Sequence, residues 1–273
     1  MEKVAFQGER GAFSEDAIYS AFRDADAIPK KNLTEVFEAV ENDETQFGVV
    51  PVENSQAGSI NETYDLLLKY DLSIYGEVAV EVNHCLMSLP SESIDSITTV
   101  YSHPQALAQC DEFLSRLNVD IVPTYDTAGS AKIIREKTLL HCAAVASRRV
   151  AEIYGMAILA ENIQTIPSNF TRFFIISKKR AEYAATNKTS LIFATENIPG
   201  ALYLSLGAFA TKGINLTKLE SRPSKNKPWE YIFYVDFEGH IEDELCAQAI
   251  SDLQGLIKFV KILGSYPRTM SSS

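Results

Sequence analysis

The chain has 273 residues, 46% of them hydrophobic and 22% charged, which is ordinary globular material long enough for about two domains of common size and excludes disordered and fibrous classes. A formal net charge of −11 makes nucleic acid and anionic membrane surfaces unfavourable partners, because both repel a diffusely acidic protein. No basic segment followed by an apolar stretch opens the chain, and no run reaches the roughly 18 apolar residues of a membrane span, so a cytoplasmic protein is expected. Cys85, Cys110, Cys142 and Cys246 are scattered, without a Cys-x-x-Cys pair or clustered histidines. That is the pattern of reduced, buried thiols, with no metal site.

In chain order, Val4-Ala5-Phe6 reads as a strand, Gly8 and Gly11 as a turn, and Phe13, Ala17, Ile18, Ala21 and Phe22 as the apolar face of a helix. The pattern recurs at 47–52, where a strand leads through Glu53-Asn54-Ser55 to Ser59, which has capping-box spacing with Glu62 before a helix. Over 72–89 the apolar residues alternate as in one unusually long strand, long enough to cross between two lobes. A strand at 99–101 precedes His103, Pro104 and a helix over 106–117, with His103 read as its cap. Ile121-Val122 and a helix through Ile133 and Ile134 follow, and an apolar strand at 173–176 closes this part. Strands alternating with helices imply an α/β domain whose sheet is largely parallel.

A polar linker is expected at 181–188. Beyond it a strand at 190–194, a helix at 199–211, strands at 214–222 and 231–237, a helix at 242–257 and a strand at 260–263 give the βαββαβ order of the ferredoxin-like plan. Gly213 stands where a helix C-terminal cap is expected, and Ser224-Lys225-Asn226-Lys227-Pro228 reads as a turn.

Four loops pair a small residue with a hydroxyl at a predicted helix start: 8–15, 53–59, 126–130 and Ala146-Ser147. Each alone is what plain N-capping requires. Together they suggest a pocket in which backbone N–H groups and an arginine bind carboxylates whatever the global charge. Asn169-Phe170-Thr171-Arg172-Phe173 sets a hydroxyl and a guanidinium at a strand entrance.

Five segments occur here in one order: Gly-x-x-Gly-Ala-Phe-Ser-Glu at 8–15, Gly-Val-Val-Pro-Val-Glu-Asn-Ser at 48–55, His-Pro-Gln-Ala-Leu-Ala-Gln-Cys at 103–110, Thr-Ala-Gly-Ser-Ala at 127–131 and Thr-Arg-Phe at 171–173. In that order they resemble the prephenate dehydratase family. Gly200-Ala201-Leu202 and the run 215–223 are similar to the ACT regulatory domain of those enzymes, with Tyr203 a small departure. The resemblance implies an α/β catalytic domain over 1–180 with the two-lobed, type II periplasmic-binding-protein-like plan (1–83 with 163–180, and 84–162). After the linker it implies an ACT domain over 189–267 and a tail over 268–273. With the first strand almost at the start, no preceding chorismate mutase domain is expected.

The implied reaction is the cofactor-free conversion of prephenate to phenylpyruvate, in which carbon dioxide and water leave together. By similarity Thr171 is the catalytic hydroxyl and Arg172 a carboxylate anchor. Glu53 is either a second acid or a structural carboxylate. Asn54, Ser55, Ser59, Thr127, Ser130 and Asn169 are expected to orient substrate oxygens, and Phe173 to wall the ring. The ACT resemblance implies a homodimer or homotetramer inhibited by L-phenylalanine, with Gly200, Ala201, Leu202, Asn215, Leu216, Glu220, Ser221 and Arg222 at the effector site. Arogenate dehydratase, or a non-catalytic solute-binding sensor, remain the alternatives.

Overall fold

The computed structural model describes residues 1–223 and 231–268. The turn expected at 224–228 and residues 269–273 of the expected tail lie outside the described residues. The fold is mixed α/β, and the chain divides into two compact units: Met1–Thr63 with Val78–Phe173, and Tyr64–Glu77 with the chain from Phe174 onward.

The chain opens with β1 (Glu2–Gln7), α1 (Phe13–Ala21), β2 (Ala25–Lys30), α2 (Leu33–Glu41), β3 (Phe47–Asn54), β4 (Gly58–Ser59), α3 (Asn61–Lys69) and β5 (Ser73–Glu81). A second group follows: β6 (Cys85–Ser88), β7 (Thr99–Ser102), α4 (Pro104–Gln109), α5 (Asp111–Leu117), β8 (Asp120–Pro123), α6 (Thr127–Lys137), β9 (Cys142–Ala146), α7 (Arg148–Tyr154) and β10 (Ala157–Ala160), and then β11 (Phe170–Ser177) returns. One sheet has the order β2-β1-β3-β11-β5, and the other β10-β6-β9-β7-β8. Parallel pairing holds between β1 and its neighbours β2 and β3. The second sheet is mixed, since β7 runs parallel to β8 and β9 while β6 runs antiparallel to β9 and β10.

The inner strands β6 and β9 of the second sheet are buried on both faces, and strand alternation assigns each residue to one of them. Cys85, Met87, Cys142, Ala144 and Ala146 pack with α6 and α7, while Leu86, Val100, Ala143 and Val145 pack with α4 and α5. The four cysteines are all buried free thiols. No described helix is long and apolar enough to cross a membrane.

Three expectations need correction. The long strand over 72–89 is two strands in different sheets, β5 and β6. Its alternation is broken where Val82 N–H donates to Asn169 O (2.7 Å) and His84 N–H to Gln164 Oε1 (3.0 Å). The capping-box spacing from Ser59 does not coincide with the observed helix start: Ser59 sits in β4, opposite Glu53 of β3, and α3 starts two residues later, at Asn61. The helix over 106–117 is interrupted at Cys110, whose backbone (φ −109°, ψ 12°) ends α4 and precedes α5.

In the second unit β12 (Asn187–Ala194), α8 (Ala201–Ala210), β13 (Leu216–Pro223), β14 (Tyr231–Glu238), α9 (Glu244–Leu256) and β15 (Phe259–Pro267) follow the expected βαββαβ order. The sheet order is β13-β14-β12-β15, antiparallel throughout. Leu191, Phe193, Phe233, Val235 and Phe237 pack on Phe209 of α8 and on Ala249 and Leu253 of α9. Gly213 takes φ 69° just past α8, as expected of a cap. A Cβ on Gly264 of β15 would meet Ile74 O at 2.3 Å. Backbone cannot yield as a side chain does, so Gly264→Ala is expected to destabilise by about 1–3 kcal/mol, read as a Tm several degrees lower in a thermal melt.

Candidate active site

Asn54 ends β3, and its side chain organises the turn that follows. Its Oδ1 accepts the backbone N–H groups of Gln56 (3.1 Å) and Ala57 (3.0 Å), the local pattern by which asparagine builds a turn. Backbone N–H groups only donate, so the amide orientation is fixed: Nδ2 points the other way, toward β11. There it lies 2.8 Å from Asn169 Oδ1, 3.2 Å from Phe170 O and 3.0 Å from Thr171 Oγ1. With Asn169 Oδ1 accepting, its Nδ2 donates to Gln109 Oε1 at 3.1 Å. That oxygen is also 2.9 Å from His84 Nε2. An amide oxygen cannot donate, so Nε2 carries the imidazole hydrogen and Nδ1 is a bare acceptor.

Two chemical consequences follow. Among the described residues the bond from Asn54 is the hydrogen bond that the Thr171 side chain makes, and in it Thr171 accepts. Its own proton is left to donate. His84 is 2% exposed, and burial lowers its pKa from the ordinary imidazole value, against the opposing hydrogen bond with Gln109. The ring is therefore neutral near pH 7, and it packs edge-on against Phe13 with ring centroids 5.6 Å apart.

Thr171, Asn54, Gln109 and His84 line one cavity of about 190 Å³ with Phe13, Ser14, Thr127 and Phe173. Among the described residues no lysine, arginine or carboxylate lines it. Helix α1 has no side-chain cap, so the first-turn N–H groups of Phe13 and Ser14 are donors without intrahelical acceptors, at the positive end of the helix dipole. At α6 the cap is Asp126, whose Oδ1 accepts from Gly129 N–H at 2.7 Å. Burial raises its pKa, and the N–H groups of Gly129 and Ala128 counter this. A larger cavity of about 540 Å³ is lined by Gly8, Glu9, Lys30, Lys31, Tyr125 and Asp126. Its charges are partly internal, with Lys132 bound to Glu9 at 2.9 Å and Lys30 to Glu44 at 2.8 Å.

Of the residues expected at the reactive centre, Thr171, Asn54, Asn169, Phe173 and Thr127 are brought to this cavity or its hydrogen-bond network. Arg172 is not, because neighbours on a strand face opposite ways. Its guanidinium pairs with Glu53 Oε2 at 3.0 Å, which occupies both groups with each other rather than with the space beside Thr171. Ser55 Oγ accepts Phe170 N–H at 3.0 Å, and Ser130 Oγ bonds Thr124 Oγ1 (2.5 Å) and Asp126 O (2.8 Å). The hydroxyls of Ser55 and Ser130 hold backbone in place, and neither they nor Ser59 of β4 are among the residues that line the cavity.

His84 and Gln109 were not expected as site residues. Gln109 stands in the 103–110 segment, four residues after Gln105 on the same helix face, and that spacing was its available signal. His103 caps α4 as expected, its Nδ1 accepting from Gln105 N–H at 3.3 Å, and it lines the cavity as well. Among the described residues no group of three His, Cys, Asp or Glu side chains is placed to hold a metal ion.

In the second unit Gly200 precedes α8 with φ 84° and open space where a Cβ would be, and Ala201 and Leu202 form the first helical turn. Asn215 and Leu216 lie toward the other end of the sheet. Ala194, before Gly200, pairs with Ile232, and Leu216 pairs with Phe237, about 17 Å apart along β14 at 3.4 Å per residue. On β13, Glu220 pairs with Lys218 at 3.1 Å and Arg222 with Asp65 at 3.1 Å, while Ser221 sits opposite Phe233. One chain does not gather these eight residues into one pocket.

A family model described as prephenate dehydratase matches residues 4–181. Arogenate dehydratase/prephenate dehydratase 2, chloroplastic, of Arabidopsis thaliana is 43% identical over 277 residues, 97% of this chain and 72% of that protein. The prephenate dehydratase from Arthrobacter aurescens, solved in complex with L-Phe, matches with a TM-score of 0.89 at 32% identity, over 97% of this chain and 90% of that one. A structure described as GqqA, a novel type of quorum quenching acylase, matches with a TM-score of 0.90 at 34% identity over 98% of each chain.

Proposed function

We propose, for a chain that belongs to the prephenate dehydratase family, that the cavity beside Thr171 is where the substrate loses carbon dioxide and water. The chain is a hydro-lyase of aromatic amino-acid biosynthesis. Dehydration needs a proton on the departing ring hydroxyl, and the electrons of the ring carboxylate's C–C bond then flow into the ring as it becomes aromatic. The observation that carries our reading is the direction of the Asn54–Thr171 bond: it leaves the threonine proton free to point at a leaving oxygen. Thr171 donates at the transition state and is resupplied from solvent, which meets the reaction's demand for one proton. The uncapped first turn of α1 and the start of α6, at Thr127, receive the side-chain carboxylate. An apolar wall including Phe173 leaves the ring carboxylate poorly solvated, which favours its loss.

Under this reading Arg172 and Glu53 form a pair that locks β3 beside β11, and Ser55, Ser59 and Ser130 are scaffolding. The two sheets of the first unit belong to the two lobes of a type II periplasmic-binding-protein plan, within a catalytic domain over 1–180, followed by a linker at 181–188 and an ACT domain over 189–267. L-phenylalanine is the feedback effector, bound where two copies bring the Gly200–Leu202 end of one chain to the Asn215–Leu216 end of another, in a cytoplasmic homodimer or homotetramer.

The likeness to an acylase favours a second reading, with Thr171 as nucleophile. A nucleophilic hydroxyl needs a base that accepts its proton, whereas its partner here is an amide that donates, so the donor role is preferred. Turnover of prephenate, of arogenate and of an N-acyl substrate, each with and without L-phenylalanine, tests all of this. We expect dehydration inhibited by L-phenylalanine, and amide hydrolysis without dehydration would overturn the reading.

A further inference from the structure

Helix α3 belongs to both units of the chain, since the division between them falls after Thr63 and before Tyr64. Its leading end adjoins the cavity. Ile60, one residue before the helix, lines the cavity together with Pro51 and Asn54. Two bonds fix that end to β3: Ile60 N–H donates to Val52 O at 2.9 Å, and the hydroxyl of the buried Thr63 donates to Pro51 O at 2.6 Å. A helix bonded within itself shifts as one stiff piece. What holds its far end therefore bears on the cavity wall.

That far end is gripped from the sheet of the second unit. Lys261 of β15 donates to Leu67 O (2.9 Å), Leu68 O (3.3 Å) and Tyr70 O (2.7 Å). The last carbonyls of a helix lack partners within it and form its negative dipole end, so an ammonium with three N–H groups suits them. Burial lowers the pKa of Lys261 and the charge of Asp71 opposes this. Along the same helix Asp65 pairs with Arg222 of β13 at 3.1 Å, and Tyr64 packs on Tyr234 of β14 with ring centroids 4.6 Å apart. Arg222 is among the residues expected at the effector site, so an expected effector strand touches α3 directly.

We propose that α3 is the rod by which the second unit sets the cavity wall, with Lys261 as the positioning residue that grips it. This rests on the dehydratase reading of the cavity and on L-phenylalanine as the effector. An effector that favours one arrangement of the sheet by differential binding carries the gripped end of α3 with it. The shift then reaches Ile60 and the end of β3, where Asn54 Nδ2 orients the Thr171 hydroxyl. Helix shifts of about 1–2 Å are a common switching step, and a misplacement of about 1 Å in a catalytic frame costs about 10²-fold in rate. L-phenylalanine thereby changes turnover without touching substrate.

Lys261→Met keeps the apolar stem and removes the grip, whereas Lys261→Arg keeps a cation with several donors. For Lys261→Met we expect L-phenylalanine affinity by calorimetry and turnover without effector to stay within a few-fold of wild type, while the factor of inhibition falls roughly fivefold or more. Lys261→Arg should recover part of it. Thr63→Val releases the other end from Pro51 and should uncouple likewise, with the double variant no worse than either single, because changes along one route are not additive. Full inhibition in a folded Lys261→Met overturns the proposal, as does loss of L-phenylalanine binding together with inhibition. The wild-type protein supplies a readout that needs neither variants nor turnover: L-phenylalanine should alter hydrogen exchange at the amides of residues 60–63. Unchanged exchange there in a protein that binds L-phenylalanine overturns the proposal. A wild-type protein that dehydrates its substrate but ignores L-phenylalanine removes the effector reading and the proposal with it. One that turns over neither prephenate nor arogenate removes the dehydratase reading, and exchange at 60–63 still judges the rod.

Discussion

Thr171→Ala is expected to fold normally and to lose roughly 10²–10³-fold or more in kcat, the cost of removing one donor aimed at developing charge, with a modest change in KM. The split matters because the hydroxyl is expected to act on the departing oxygen only as the C–O bond breaks, so ground-state binding hardly depends on it. Thr171 is 9% exposed, and alanine fits its strand position without strain. The one structural consequence is that Asn54 Nδ2 loses an acceptor while keeping Asn169 Oδ1 and Phe170 O, so the change in Tm should be small. Thr171→Ser, which retains the hydroxyl but frees its rotation, is expected to fall between alanine and wild type. Steady-state kinetics with either dienol substrate decides, and near wild-type turnover in the alanine variant removes Thr171 from the mechanism.

The elements carrying that threonine were legible to different degrees. β1, β3, β11 and the whole βαββαβ order could be read because their apolar residues form clean runs bounded by glycine, proline or polar turns. β2 was missed: it contains Asp26, Pro29 and Lys30, and proline and charge hide a strand that stands at the edge of its sheet beside β1. β9 was missed for the opposite reason, since Cys142-Ala-Ala-Val-Ala is buried throughout but alanine has little strand preference. At the site, Thr171, Asn54 and Asn169 were named from a family resemblance, whereas the bond joining Asn54 to Asn169 spans 115 positions and leaves no local signature. The placement of Arg172 away from the cavity follows a local rule that was available: if Thr171 and Phe173 face the cavity, the residue between them faces away. His84 was invisible because its contact with Gln109 spans 25 positions and leaves no local signature.

Asn54→Asp provides the most severe test of the network, because it reverses one atom's hydrogen-bond sense and adds an ionisable group while leaving the side chain's shape unchanged. The oxygen serving Gln56 and Ala57 is retained, so the turn keeps its shape. The atom replacing Nδ2 becomes an acceptor, facing Asn169 Oδ1 at 2.8 Å and Phe170 O at 3.2 Å, in a residue 3% exposed. Two oxygens at that distance repel unless one carries a proton. Thr171 would reverse and donate to the new carboxylate, which removes the proton the leaving hydroxyl requires. Both stability and rate should therefore fall: a Tm lower by several degrees, from an uncompensated buried charge of about 3–5 kcal/mol, and a kcat loss at least as large as in Thr171→Ala. The sign of the pH dependence follows from linkage. The introduced carboxyl has its folded pKa raised above the unfolded value by burial and by facing acceptors, so the native state binds more protons than the unfolded one and stability falls as pH rises through that window. The Tm deficit relative to wild type should be small near pH 4 and largest above pH 7. Wild-type Tm and kcat across that range would mean that Asn54 Nδ2 does not hold Thr171, and the direction assigned to the threonine proton would have to be abandoned.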